Sequence, residues 1–197
     1  MGNMAIRRIT MNGVLIGLFL VLGLLRIRVG TFLEIGLGTI VITIAAVCLS
    51  PWEAIIIAAL GEFMNQIFFS GYGLTPTTVL WVLPVVARAA LLSLFAYLYR
   101  RKGGSIVDHK VWFYVAVLGT ALVVSCLDTG LLYLDGIIMH YPVAYTWTQT
   151  GIRFLTSQIT AIIVATLTIP LHRAVAFLLP RQGNKKASQE EPSETLQ

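Results

Sequence analysis

Ionisable and amide side chains recur inside the apolar stretches of this sequence, at spacings that place them on single helical faces. Glu62, Asn65 and Gln66 stand at i, i+3 and i+4. Trp81, Pro84 and Arg88 follow at i, i+3 and i+7. Ser125, Asp128, Thr129 and Asp135 share a third face, and Arg153, Ser157 and Thr160 a fourth. Guanidinium groups suit an anion, because their donor fork matches the two oxygens of a carboxylate. Carboxylates and amides suit hydroxyl or amide partners. Together these groups could line a binding site for a small, polar, negatively charged molecule. Arg88 could instead neutralise Glu62 or Asp128 within a purely structural ion-pair network.

The elements that carry them are membrane helices. The 197 residues are 57% apolar and only 12% charged. A soluble domain carries roughly 25% charge, because its surface faces water. That excludes a disordered chain, a disulfide scaffold and an ordinary cytosolic enzyme. Six stretches approach the roughly 20 apolar residues that a crossing helix needs. They run from about Ile9 to Leu25, Leu33 to Leu49, Trp52 to Phe69, Thr77 to Tyr99, Val111 to Leu134, and Ile152 to Leu171, or on to Leu179. The second is loosened at its start by Glu34, Gly30, Gly36 and Gly38, and irregular backbone lining a cavity is an alternative there. Arg7-Arg8 before the first stretch resembles a secretory signal, but no small-x-small cleavage site follows. A retained helix is expected.

Lysine and arginine placement orients the bundle. With six spans, one side holds Arg7, Arg8, Arg100, Arg101, Lys102, Lys110, Arg173, Arg181, Lys185 and Lys186, and the other only Arg26 and Arg28. Both termini are therefore expected in the cytoplasm. Residues 1–180 form one transmembrane domain in this reading, and the polar stretch 181–197 a disordered cytoplasmic tail. The net charge of +5 reports topology and not nucleic-acid binding.

Helical rise then sets depth. Glu62 and Asp128 fall about 10 Å below the outer ends of their spans, Asn65 about 6 Å, and Arg88 about 16 Å in. Arg153 stands at the outer mouth. The inner halves of these spans are almost purely apolar, so the expected object is a polar cavity open outward and closed toward the cytoplasm. Two outer loops, 70–76 and 136–150, are expected above it, glycine-rich and aromatic respectively, as a lid or as interfacial belting. Cys48 and Cys126 read as small buried hydrophobes. No metal site or cofactor is indicated. There is no phosphate-binding loop for ATP and no nucleophile–base constellation, so an enzyme is not expected. In the first span, Gly13-Val-Leu-Ile-Gly17 forms a small-xxx-small surface against which another helix can pack closely.

This layout resembles the substrate-binding (S) component of an energy-coupling factor (ECF) vitamin transporter. The likeness is carried by Ile35-Gly-Leu-Gly-Thr-Ile40, Leu49-Ser-Pro-Trp-Glu-Ala54 and Ala59-Leu-Gly-Glu-Phe-Met-Asn65. Cys126-Leu-Asp-Thr-Gly-Leu-Leu-Tyr133 followed by Arg153 is similar to the folate/pantothenate/pyridoxine branch. Gly13 and Gly17 stand where many relatives carry alanines. The resemblance implies an all-α bundle of six transmembrane helices that captures a vitamin from outside. It implies docking through Gly13 and Gly17 onto a transmembrane coupling subunit, which carries two cytoplasmic ATPases, and toppling to release the vitamin inward. Glu62, Asn65, Trp81, Arg88, Asp128 and Arg153 are the expected substrate-binding residues. Two cavity arginines favour a carboxylate ligand, pantothenate first; folate, pyridoxine-like and hydroxymethylpyrimidine ligands are alternatives, as is a structural or assembly role with no ligand.

Overall fold

The computed structural model describes residues 2–29, 33–69, 77–101, 103–140 and 142–178. The stretch 181–197, expected as a tail, lies outside the described residues, as does the expected lid segment 70–76. Six helices form the bundle: α1 Gly2–Leu24, α2 Gly38–Cys48, α3 Pro51–Phe69, α4 Val82–Arg101, α5 Lys110–Met139 and α6 Val143–Leu178. Four of them, α3 to α6, contain stretches long and apolar enough to cross a membrane; α2 and the apolar part of α1, Arg8–Leu24, are shorter.

The second expected span is the main departure. A spanning helix over Leu33–Leu49 does not form. Strands β1 Arg26–Val29 and β2 Leu33–Gly36 pair antiparallel instead, so the chain is not purely helical. The reason is local. Arg-Ile-Arg-Val and Leu-Glu-Ile-Gly alternate polar and apolar with period two, a strand pattern. The register sets Arg28 opposite Glu34. Only after Gly36 does continuous apolar sequence begin, and α2 has just 11 residues, about 16 Å by helical rise.

That short helix is the axis of the bundle. Ile40 through Val47 are all buried, and α2 packs against α1, α3, α4 and α6. A helix apolar on every side belongs in a core. Its neighbours approach closely because they present small residues: Ala54, Ala58, Ala89 and Ala165 are fully buried. The C-terminal end of α2 would leave carbonyls unpaired. Arg100 on α4 supplies the donors, giving Nη2 to the carbonyls of Val47 and, at 3.2 Å, Leu49. Immediately beyond, Ser50 and Glu53 form a capping box that starts α3. Glu53 accepts from the Ser50 amide at 3.0 Å, and its own amide donates to Ser50 Oγ at 3.4 Å.

The other end of the bundle also departs from expectation. Residues 136–150 are not a flexible loop. α5 continues to Met139, His140 closes it in the left-handed conformation (φ 57°), and α6 begins at Val143 directly after Pro142. Trp147 is therefore a helical residue, set edge-on to Tyr133 at 6.0 Å. Cys126 is exposed on the outer surface of the bundle rather than buried, and Cys48 is half-buried.

Phe19 locks α1 onto this frame. It is 4% exposed and sits where α1 meets α2 and α3. A Cβ added at Gly61 would lie 2.7 Å from its ring, and one at Gly38 3.0 Å. Both glycines exist to admit the ring. Gly61→Val is therefore expected to lower thermal stability in detergent, by about 1–3 kcal/mol if it behaves as ordinary overpacking. Gly13→Ala and Gly17→Ala, where nothing lies within 4 Å of an added Cβ, are expected to leave the melting temperature unchanged or raise it.

Candidate functional site

One cavity of about 280 Å³ dominates the described residues. It lies where α1 and α3 end and α2 and α4 begin, at the end of the bundle away from Arg100 and Lys110. Glu62, Asn65, Trp81, Arg88 and Asp128 all line it. Five of the six residues expected from sequence to bind substrate thus share one space, contributed by three separate segments. Arg153, the sixth, is exposed and does not line it. Its guanidinium instead covers the Trp81 ring at 4.6 Å, a cation–π contact that fixes the indole at the cavity wall.

The α3 face is organised around Glu62. Asn65 Nδ2 donates to Glu62 Oε2 at 3.3 Å and Gln66 Nε2 to Oε1 at 2.7 Å. The i, i+3, i+4 spacing makes these contacts possible within one helix. Both amides are thereby oriented, and Asn65 Oδ1 is left buried with no hydrogen-bond partner among the described residues. It points toward Gly23 of α1, where an added Cβ would stand 3.3 Å away.

Across the cavity, Arg88 takes its charge partner from α5. Asp128 interacts electrostatically with Arg88 and, more weakly, with Arg153. Arg88 Nη1 also reaches Thr39 Oγ1 at 3.5 Å, at the start of α2. The sequence left Arg88 open between Glu62 and Asp128; it is the charge of Asp128 that acts on it across the cavity. Phe19, Ile42, Val85 and Val124 supply the apolar part of the wall. The result is a site with a guanidinium, two carboxylates, two amides and an aromatic plate against an apolar base.

Several residues grouped with these on helical faces are placed elsewhere. Ser125 Oγ and Thr129 Oγ1 turn back onto carbonyls of their own helix, at 2.8 Å each. Asp135 is buried further along α5, outside the cavity. Gln66, grouped with Glu62 and Asn65 from sequence, lines it too, and Thr39, Phe19, Gly23, Gly36 and Gly38 do so without having been singled out as binding residues. The glycine spacing before Thr39 was the available signal, since it marks backbone that comes close to something. Gly13 and Gly17 lie on an open face of α1, with free space beyond them. Among the described residues, no cluster of three His, Cys, Asp or Glu could hold a metal.

The profile of the family described as "ECF transporter, substrate-specific component" matches residues 7–172. The chain belongs to this family. It is a substrate-binding subunit of an ECF transporter, and the polar cavity is a cavity in an S component. A solved structure described as the S component of a bacterial ECF transporter has the same fold. It superposes with a TM-score of 0.62 at 17% identity, covering 89% of this chain and 98% of the other. No curated protein matches the sequence significantly. Family membership brings a small-molecule, vitamin-type substrate and the ECF energising module as partners.

The Arg88–Asp128 pair of this S component is testable as a unit. Removing one partner leaves the other charge unpaired in a largely buried position, which is the costly case. Arg88→Ala and Asp128→Ala are each expected to lower the melting temperature in detergent. The double variant is expected to recover part of the loss, with a coupling of about 0.5–3 kcal/mol. Additive losses would separate the two residues.

Proposed function

We propose that this S component captures pantothenate, a small carboxylate-bearing vitamin, from outside the cell and delivers it through an ATP-driven ECF module. The observation that carries the reading is Arg88, held in the wall of a cavity that it shares with two carboxylates, two amides, the Thr39 hydroxyl and the Trp81 indole. A guanidinium in such surroundings offers a fork to a carboxylate. Asn65 and Gln66, oriented by Glu62, suit the hydroxyls and amide of the same ligand. Trp81, backed by Arg153, closes one side, and Asp128 holds Arg88 in place until ligand arrives.

Cavity size supports the choice. About 280 Å³ falls just below the roughly 300–1,000 Å³ typical of small-molecule sites, which disfavours folate. Pyridoxine-like and hydroxymethylpyrimidine ligands would fit by volume but lack the carboxylate that Arg88 is suited to receive.

In this proposal the chain crosses the plasma membrane with both termini in the cytoplasm, and residues 1–180 form the membrane domain. The cavity end faces outward, because the basic residues Arg100, Arg101 and Lys110 gather at the other end. Gly13 and Gly17 offer the open face of α1 to the transmembrane coupling subunit, which carries the two ATPases.

A thermal-shift screen of the purified, ligand-stripped protein against water-soluble vitamins tests the substrate. Pantothenate at a hundred times its Kd is expected to stabilise the protein by about 2.7 kcal/mol. Arg88→Ala is expected to abolish that gain. A shift with a different vitamin alone would replace pantothenate with that vitamin. Ligand stabilisation that survives Arg88→Ala would remove the arginine from the site.

A further inference from the structure

Among the described residues, the cavity lining holds two carboxylates, Glu62 and Asp128, against the one guanidinium of Arg88. With all three ionised, the lining carries one negative charge in excess. A carboxylate-bearing substrate gains a fork at Arg88, but the rest of the lining repels it on the way in. Arg88 is moreover already engaged by the charge of Asp128. Capture of an anion therefore calls for a further cation close to the cavity.

Arg153 supplies it. Among the described side chains at this end of the bundle, it is the exposed guanidinium. It lies 4.6 Å from the centre of the Trp81 ring, and that ring is part of the cavity wall. Its charge also reaches Asp128. A guanidinium stacked on an indole keeps its full charge while its position is fixed. The screening length of about 10 Å at 0.1 M salt exceeds this separation, so the charge is felt across the cavity mouth. The two arginines thus stand in different places: Arg88 in the lining, beside the Thr39 hydroxyl, and Arg153 at the rim. Charges at a rim govern association rate and its salt dependence, whereas buried charges govern dissociation.

We propose that Arg153 admits anionic substrate: from the rim it offsets the excess negative charge of the lining, concentrates anions at Trp81 and speeds capture of the carboxylate that Arg88 then holds. The inference rests on the carboxylate reading above and adds the residue that selects for charge at entry. A unit charge about 7 Å away in water changes the local concentration of a monovalent ion by about threefold, one RT of energy. That is the size of effect expected here.

Fluorescence quenching tests it without any vitamin. A Trp52→Phe/Trp112→Phe/Trp147→Phe background leaves Trp81 as the lone tryptophan. Its quenching by iodide, an anion, is measured against acrylamide, which is neutral, in uncharged detergent. The ratio corrects for any change in how open the ring is. Arg153→Gln is expected to lower the iodide-to-acrylamide ratio about threefold at low salt. Arg153→Lys, which keeps the charge, is expected to retain most of it. At about 1 M salt, where the screening length is about 3 Å, the proteins are expected to converge. A ratio unchanged in Arg153→Gln overturns the proposal, as does an equal fall in Arg153→Lys. Should Arg153→Gln fail to fold, the parent protein decides alone: a ratio that does not fall with salt overturns the proposal. In stopped-flow measurements, Arg153→Gln is expected to slow pantothenate association about threefold and leave dissociation unchanged, while Arg88→Ala speeds dissociation. An association rate equal to that of the parent overturns the proposal as well. A wrong substrate appears as an absent pantothenate thermal shift, whereas a wrong role for Arg153 appears as an unchanged iodide ratio.

Discussion

A helix of 11 residues cannot cross a bilayer, yet α2 occupies the centre of this bundle. Its burial is the constraint from which the other features follow. Because α2 is surrounded, its flanking helices need small residues to approach it, and alanines stand at those contacts. Because it is short, both of its ends lie within the protein and cannot rely on water for their unpaired backbone groups. Arg100 satisfies the C-terminal carbonyls from a neighbouring helix. The N-terminal end opens into the cavity, where Thr39 meets Arg88.

The cavity is thus the space left above a helix that stops short. The β1–β2 hairpin supplies the chain that precedes α2 without filling that space with another helical turn. Polar side chains from α3, α4 and α5 can then turn inward at this level, because the volume is there to receive them. Charges placed there are held in pairs and clusters, since an isolated ion in such surroundings is expensive. Arg88 with Asp128, and Glu62 with two amides, meet that requirement before any ligand arrives.

The two ends of the molecule are specialised by the same logic. Basic residues gather where α4 ends and α5 begins, and one of them, Arg100, also closes the central helix. The far end concentrates the mixed polar groups and the aromatic plate of Trp81. α1 runs between these ends, with Phe19 and Gly23 toward the cavity and Gly13 and Gly17 open. It is the one helix that both lines the site and offers an unpartnered small-residue surface.

Much of this was legible in the sequence. Apolar run length gave the helices α3 to α6, with α3 close to its expected bounds, while α4 starts five residues later than expected, α5 runs five residues further and α6 starts nine residues earlier. The i, i+3, i+4 spacing of Glu62, Asn65 and Gln66, and the isolation of Arg88 and Asp128 in apolar surroundings, brought five of six expected binding residues into one cavity. These features are local: periodicity places side chains on a face, and the cost of charge in apolar surroundings turns that face inward. What the sequence left undecided depended on neighbours distant in the chain. Arg88 feels the charge of Asp128 across the cavity, while Glu62 accepts from Asn65 and Gln66 on its own helix. Phe19 reached the cavity because glycines at 38 and 61 meet at one point in space. Arg153 stands outside the lining, over the ring of Trp81, which forms part of it. Residues 33–37 became strand and turn, not helix, because a period-two pattern can be satisfied by a partner strand. Spacing along one chain fixes which face a side chain shares; only packing decides which other face it meets.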